Sequence, residues 1–473
     1  NKLMQEHFNE KYMESEKYAN STFSGKINET IDYTKDGTYD VTLKKNLFFD
    51  STFTVTVPKD QKINISIDFS QNQRMLGQLF VESSPVGAKI FINDSNTNHS
   101  TPFTFNNLLP GSYTLELKSE GYKDIVYTAI IESSKKVNRK FVLVDSSIWS
   151  EYNILDHGIE AEKLTCITAD HNDLIWIGSR DGLVLYDHGT WRLYNPSNSY
   201  LTHTVVHDLS VTPNNELFVA TQAGFSIVVN QEPLIRYTSA GGRVAAQATG
   251  FPSDVTYGIY AENGFPFYFA TEKGLGAAKE EIGNYFLDFS SETPHLFITQ
   301  FLTCIYYSNS DQEIFAGTKG SGLIKANRSE LLEGEFTILT RGTHAMPTNS
   351  VSDITDDKLG NIWIAFIPDV TTTISTLVSY REGAFQQFPL STGDSRVNKI
   401  FVDSRNIKWV GTETGLFYFS DNVNNRKYLN ESTTGLKLEK VNGITEDSKG
   451  NIWISTFENG LFQIKDVEKL INN

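Results

Sequence analysis

Polar residues, six of the seven acidic or amide, recur through the last two-thirds of the chain at one fixed offset. Asp170, Thr212, Glu262, Asn309, Asp357, Asp403 and Asp447 each stand six residues before an aromatic residue. Carboxylates in such number are the raw material of acid–base or metal chemistry. A hairpin, however, also needs an acceptor at this place: Asp and Asn accept the N–H groups of their own turn, and Gly360 or Gly450 then supplies a positive φ. The position repeats in every copy whereas an active site occurs once, so we read it as turn chemistry. His203 and His207 have the four-residue spacing that binds zinc on a helix. THTVVHDL reads instead as a strand, along which the two would stand roughly 13 Å apart, too far to share one ion. HExxH, GxSxG and CxxC do not occur. Cys166 and Cys304 are the only cysteines; they occupy equivalent places (LTCI) in copies one and four, so two buried thiols are expected rather than a disulfide. The reading is of no catalytic residue, no metal and no cofactor.

The elements that must position these residues follow from the same spacing. The aromatic residues are Trp176, Phe218, Tyr268, Phe315, Trp363, Trp409 and Trp453, 42 to 50 residues apart. Each copy reads as an apolar strand, a polar turn, an aromatic-centred strand, then a Gly and an apolar residue opening a third strand. A period of this length with several strands per copy predicts an all-β fold, a β-propeller of seven blades. Glycines follow the aromatic at Gly182, Gly224, Gly274, Gly322, Gly415 and Gly460. Leu183, Phe225, Leu275, Leu323, Leu416 and Leu461 come next and should pack between blades. Copy five lacks this pair, so its second turn must be rebuilt. Copies one to six end in an outer-strand segment (Trp191, Leu234, Tyr285, Phe336, Phe385 and Arg426 begin or lie in them), and copy seven runs out without one. Residues 149–153 (WSEYN) match the missing piece and are expected to close the ring, leaving no free sheet edge.

Composition narrows the partners. With 41 Lys+Arg against 57 Asp+Glu, the formal net charge is -16, and no basic run offsets it. Nucleic acid is therefore excluded as a partner. No apolar run reaches 18 residues, so no segment of this chain reads as a transmembrane helix. The chain begins at Asn1 without Met, which we read as the removal of an export signal or anchor upstream.

The repeats, at their clearest in VNGITEDSKGNIWISTFENGLF (Val441 to Phe462), resemble the two-component regulator propeller repeat: D-x-x-G-x-[IL]-W-[IV]-G-T followed by G-[LI]. That resemblance covers about residues 146–473. It implies an extracytoplasmic sensor region, a kind often fused to membrane histidine kinases in Bacteroidetes; no kinase motif follows here. Residues 76–145 resemble a PEGA domain, a small surface β-sandwich, with Pro85-Val86-Gly87-Ala88 in place of the naming tetrapeptide and Thr101-Pro102, Pro110-Gly111, Tyr113 and Gly121-Tyr122 as further landmarks. Tyr113, Leu115 and Leu117 alternate as in a half-buried strand, independently of the resemblance. Residues 1–75 read as a partial duplicate: a shift of 74 brings Gly37 onto Gly111, Tyr39 onto Tyr113 and Phe53 onto Tyr127. Residues 1–20 read either as a short amphipathic helix or as a frayed linker to an anchor.

On such a propeller, the loops entering the inner strands share a face with the turns between strands two and three. Residues 239–254, 290–300, 340–350 and 366–375 enlarge that face, where recognition is expected. Its polar residues are the candidate ligand contacts. Arg180, Asp181, Gln222, Lys273, Lys319, Glu413 and Glu458 sit in short turns, and Arg243, His295, His344 and Arg396 in longer loops. Together they suit an oligosaccharide, a peptide or an envelope protein. The sequence therefore points to an exported, non-catalytic, sensor-like binding protein in the periplasm or on the outer cell surface, anchored through the removed segment. An envelope scaffold and a lyase-like enzyme are the alternatives.

Overall fold

The computed structural model describes residues 72–146, 148–239, 251–262, 266–278, 297–369, 376–390, 396–458 and 460–472, with shorter pieces at 7–8, 25–26, 37–43, 46–59, 63, 70, 246–247, 264 and 294. Two compact units divide the chain, Asn1–Leu143 and Val144–Asn473.

In the first unit, seven strands between Gly77 and Val142 form two sheets. One runs in the order Ile125–Ile131, Gly111–Lys118, Lys89–Ile92, Ser95–Ser100. The other has Gly77–Ser84 at its centre, flanked by Lys136–Val142, with which it pairs parallel, and by Phe103–Leu108. Leu79, Val81, Ile90, Leu115, Leu117, Ala129 and Phe141 come from both sheets and form one core, which makes the pair a sandwich. Upstream, Gly37–Leu43 pairs with Ser51–Val57 so that Gly37 faces Val57. Gly111 faces Ile131 in the downstream hairpin, so a shift of 74 residues superposes the two registers. Most of residues 1–20, where a helix or a frayed linker was expected, lies outside the described residues. The exception is His7–Phe8, an extended pair bonded to Gly25–Lys26, with Phe8 also opposite Leu43. Here sheet pairing, which the local pattern of apolar residues does not reveal, replaces helix.

From Val144 onward the described residues form seven sheets, one per sequence copy, antiparallel except where Ala246–Gln247 pairs parallel with the edge of the second. We number them blades one to seven. Their inner strands are Leu164–Ala169, Val206–Val211, Thr256–Tyr260, Leu302–Ser308, Val351–Asp356, Val397–Val402 and Val441–Glu446. Each inner strand packs beside the next, and that of blade seven returns to that of blade one, closing the ring. Blade seven takes its fourth strand from the other end of the unit: Trp149–Tyr152 pairs antiparallel with Leu461–Ile464. Tyr152 seals this joint, with its ring stacked on Trp453 at 5.6 Å and close to Tyr186 and Trp191 of blade one. The outer segment expected around Tyr285 lies outside the described residues, and blade three shows three strands among those described.

The repeated polar position does what a turn requires. Asp357 Oδ1 accepts the N–H groups of Leu359 and Asn361, and its Oδ2 accepts the indole N–H of Trp363 at 2.9 Å. Asp170, Asp403 and Asp447 make the same bond to Trp176, Trp409 and Trp453. Where the aromatic is Phe218, Tyr268 or Phe315, no indole needs an acceptor, and Thr212, Glu262 or Asn309 stands in place of Asp. The residues after the second-turn glycines, Leu183 to Leu461, are all fully buried. Gly224 shows why glycine precedes them: its φ is +96°, and a Cβ there would stand 1.9 Å from the Tyr237 carbonyl oxygen.

Candidate functional site

All seven inner strands carry a bulge at the same place, after the first residue. The bulged residues are Thr165, His207, Tyr257, Thr303, Ser352, Asn398 and Asn442. Bulges of this kind re-aim a side chain and are frequent beside functional sites. In four blades the re-aimed group ties the ring together by donating to the carbonyl that opens the next inner strand: Thr165 to Val206, Thr303 to Val351, Ser352 to Val397 and Asn442 to Leu164, at 2.7 to 3.1 Å. Blade six makes no such bond either, its Asn398 Nδ2 being buried without a hydrogen-bond partner among the described residues, and the adjacent blades two and three depart from the scheme together. His207 and Tyr257 put rings at the bulge instead, with centroids 4.8 Å apart, and Tyr257 continues to Phe301 at 5.0 Å. The result is a half-buried aromatic shelf crossing blades two, three and four.

Polar groups border this shelf. Gln222 Oε1 lies 2.9 Å from His207 Nε2, and the Lys319 ammonium lies 4.9 Å from the Phe301 ring centre. Burial lowers the pKa of His207 below the usual imidazole value, so its ring is neutral at neutral pH. A neutral imidazole, a phenol and a phenyl ring offer flat apolar faces, while the amide and ammonium offer directed hydrogen bonds. That combination suits a ligand with both ring faces and hydroxyl or amide groups.

The other expected contacts distribute around the same face. Backbone bonds join the second turns to the loops entering the inner strands, as from Glu413 N–H to the Arg396 carbonyl, Gln222 to Val205 and Lys319 to Phe301. Arg180 lies 5.3 Å from the Phe457 ring, which Lys440 flanks at 5.4 Å while pairing with Glu458 at 2.6 Å. Asp181 accepts the N–H of Glu162, Lys273 reaches Glu272 at 4.0 Å, and His344 contacts Thr343 and the Phe385 ring. Arg243 and His295 lie outside the described residues, as do most of the inserted segments at 240–250, 290–296 and 370–375. One expectation needs correction. His203 is not on the inner strand, which starts at Val206; it sits in the approach loop, with its Nδ1 accepting the Val205 N–H. The first half of THTVVHDL is therefore a capped turn. Tyr257, Phe301 and Phe457 were missed, and His207 was weighed only as half of a metal spacing: Tyr257 lies in a strand, where an aromatic residue reads as core, and Phe301 and Phe457 lie just outside strand ends, where no repeat pattern marks them.

Deeper along the inner strands, charges from several blades converge. Lys399 Nζ lies 3.1 Å from Asp353, whose second oxygen accepts the Ile400 N–H. Asp208 caps Ile259 of its neighbouring blade in the same way, at 3.0 Å. Burial alone would lower the Lys399 pKa, but Asp353 and Asp208 outweigh it and hold the ammonium charged. Burial pushes Asp208 up to about 6 despite Lys399. Lys399 also acts on Cys166, Glu262 and Cys304, so groups of blades one to five surround it, as a position near the ring axis requires. Both cysteines are free thiols, which burial pushes up to about 12, well away from reactive thiolates. Among the described residues no group of three or more His, Cys, Asp or Glu could hold a metal ion, and no helix is long and apolar enough to cross a membrane.

Comparisons with known proteins agree with this geometry. The PEGA domain family matches residues 76–147, and the two component regulator propeller family matches residues 435–458, in blade seven. No curated protein sequence matches the chain. Among solved structures, the extracellular domain of a putative hybrid two-component system from B. thetaiotaomicron is similar at 18% identity and a TM-score of 0.50, over 67% of this chain and 41% of that one. PorZ, a surface component of the type-IX secretion system of Porphyromonas gingivalis, is similar at 12% identity and 0.50, over 91% of this chain and 62% of that one. Virginiamycin B lyase from Staphylococcus aureus is similar at 13% identity and 0.50, over 67% and 98%. At such identities the likeness is one of fold, and the chain spans about two-fifths of that extracellular domain. The chain is thus an all-β protein in which a PEGA domain precedes a β-propeller bearing the two component regulator repeat.

Proposed function

We propose that this protein is an extracytoplasmic, non-catalytic binding propeller that takes an oligosaccharide or peptide on the aromatic shelf of blades two to four. The observation that carries the reading is the local change of function at the bulge. Four blades spend that residue on tying the ring together, blade six keeps Asn398 there with its Nδ2 buried, and the two adjacent blades two and three present the rings of His207 and Tyr257 instead, continuous with Phe301. Rings lined up at the surface cost the fold a circumferential bond each and return a flat, half-buried platform. Arg180, Lys319 and Arg396 border the face and supply hydrogen-bond donors. The extracytoplasmic setting is supported by the extracellular and surface proteins that share the fold.

A glycan and peptide array probed with the full chain, followed by thermal-shift titration, tests this. A specific hit should raise the melting temperature by mass action on the folded state. Phe301→Ala should weaken that hit at least about tenfold, the loss expected when one well-packed aromatic contact is removed. Retention of full binding by Phe301→Ala and by a combined Arg180→Ala, Lys319→Ala, Arg396→Ala variant would overturn the choice of face. A blank array with a stable co-purifying protein would move the assignment to docking in an envelope assembly.

A further inference from the structure

On the opposite face, between blades three and four, lies a cleft of about 790 Å³, within the range of about 300–1,000 Å³ usual for small-molecule sites. Three tyrosines form its wall. Tyr307 stands in the middle, with Tyr268 stacked at 6.3 Å and 19° on one side and Tyr260 tilted at 6.2 Å and 48° on the other. Tyr260 and Tyr268 are almost wholly buried, and the Tyr307 hydroxyl is steadied by Gln312.

The charge around these rings has one sign in excess. Asp311 and Glu313 line the cleft, and behind it the charges of Glu262 of blade three and Asp356 of blade five bear on Tyr260. Against these four carboxylates stand Arg328 on the lining, Lys325, which pairs with Glu313 at 2.9 Å, and Lys399, which acts on Glu262 from the ring interior. Burial raises the pKa values of Glu262 and Asp356, with repulsion from Asp208 and Asp356 added at Glu262 and from Asp357 and Asp311 added at Asp356, a repulsion that an added positive charge would relieve. Electron-rich ring faces at differing angles beside surplus negative charge are what a weakly hydrated organic cation requires.

We propose that the tyrosine cleft between blades three and four binds an organic cation, an alkylammonium group held against Tyr260, Tyr268 and Tyr307 with Asp311 at the rim. This site is separate from the shelf on the other face and does not rest on it. Charge is the discriminating property: a neutral molecule of the same shape gains the apolar contact but not the attraction to ring faces and carboxylates.

The test compares choline with 3,3-dimethylbutan-1-ol, its uncharged isostere, by calorimetric titration of the full chain. Choline should bind saturably, and the isostere at least about tenfold more weakly, in keeping with a cation–π contribution in a partly desolvated site. Tyr307→Ala should lose at least about tenfold, Tyr307→Phe should stay within about twofold because the ring face remains, and exposed Asp311→Asn should lose a few-fold without change in melting temperature. Equal binding of the isostere, unaltered choline binding by both Tyr307→Ala and Asp311→Asn, or no saturable choline binding would overturn the proposal. The Asp311 variant, on an exposed turn, keeps the test decisive even where loss of Tyr307 disturbs the blade.

Discussion

Lys408 of blade six reaches Asp357 of blade five at 3.3 Å with both side chains almost fully buried, at 2% and 1% exposure. Its ammonium also donates to the carbonyls of Asn406 and Ser420 and lies 6.0 Å from the Trp363 ring. The pair joins two blades through the residue that already caps a turn and holds an indole. Burial alone would raise the Asp357 pKa, but hydrogen bonds from Trp363 and Asn361, with Lys408 adding its charge, hold it below the ordinary 3.8. Lys408→Met should therefore cost about 3–5 kcal/mol, since it leaves a buried charge without its partner. Chemical denaturation at neutral pH measures this. Because the folded pKa is depressed, the stability from Asp357 is full above pH 3.8 and lost as the pH falls through the lower folded value.

The bond from Trp453 to Asp447 should be a coupled unit. A double-mutant cycle with Trp453→Phe and Asp447→Asn should show a coupling of about 1.5–3 kcal/mol, the range for a hydrogen bond to a charged acceptor. Additive effects would show that the carboxylate serves the turn alone.

Asp208 works in the other direction. Its folded pKa lies at about 6 against an ordinary 3.8, so the folded state binds more protons than the unfolded state between these values. Stability from this group is present below pH 3.8 and falls as the pH rises to about 6. Asp208→Asn should flatten that part of the stability–pH profile and raise the melting temperature at pH 7 relative to the parent. An unchanged profile would contradict the placement of Asp208 beside a half-buried, already paired Lys399.

Closure of the ring rests on Tyr152. Tyr152→Ala should cost roughly 3 kcal/mol, as removal of a packed aromatic does. It should also speed amide exchange selectively in Leu461–Ile464, where Trp149–Tyr152 supplies the fourth strand.

What could be read from sequence was local chemistry repeated at a fixed offset. The turn carboxylates, the second-turn glycines and the buried residue after each are short-range requirements, so they print themselves in every copy. The contrast between Asp before Trp and Thr, Glu or Asn before Phe or Tyr was also present in the sequence; its meaning needed the indole bond. The aromatic shelf was not legible. A bulge shifts register by one residue and carries no compositional mark, so Tyr257 read as an ordinary strand residue and His207 as half of a metal spacing. The grouping of Lys399 with Asp353 and Asp208 and the tyrosine cleft depend on neighbours in different blades, 46 to 191 residues apart for Lys399, and no local pattern encodes such proximity.

Hydrogen exchange on the full chain, with and without the tightest array hit at saturating concentration, tests the binding face most directly. Slowed exchange should be confined to the segments around His207, Tyr257, Phe301 and Lys319, and absent from the PEGA domain and the opposite face. Protection elsewhere, with these four segments unchanged, would contradict the assignment of the shelf as the binding surface.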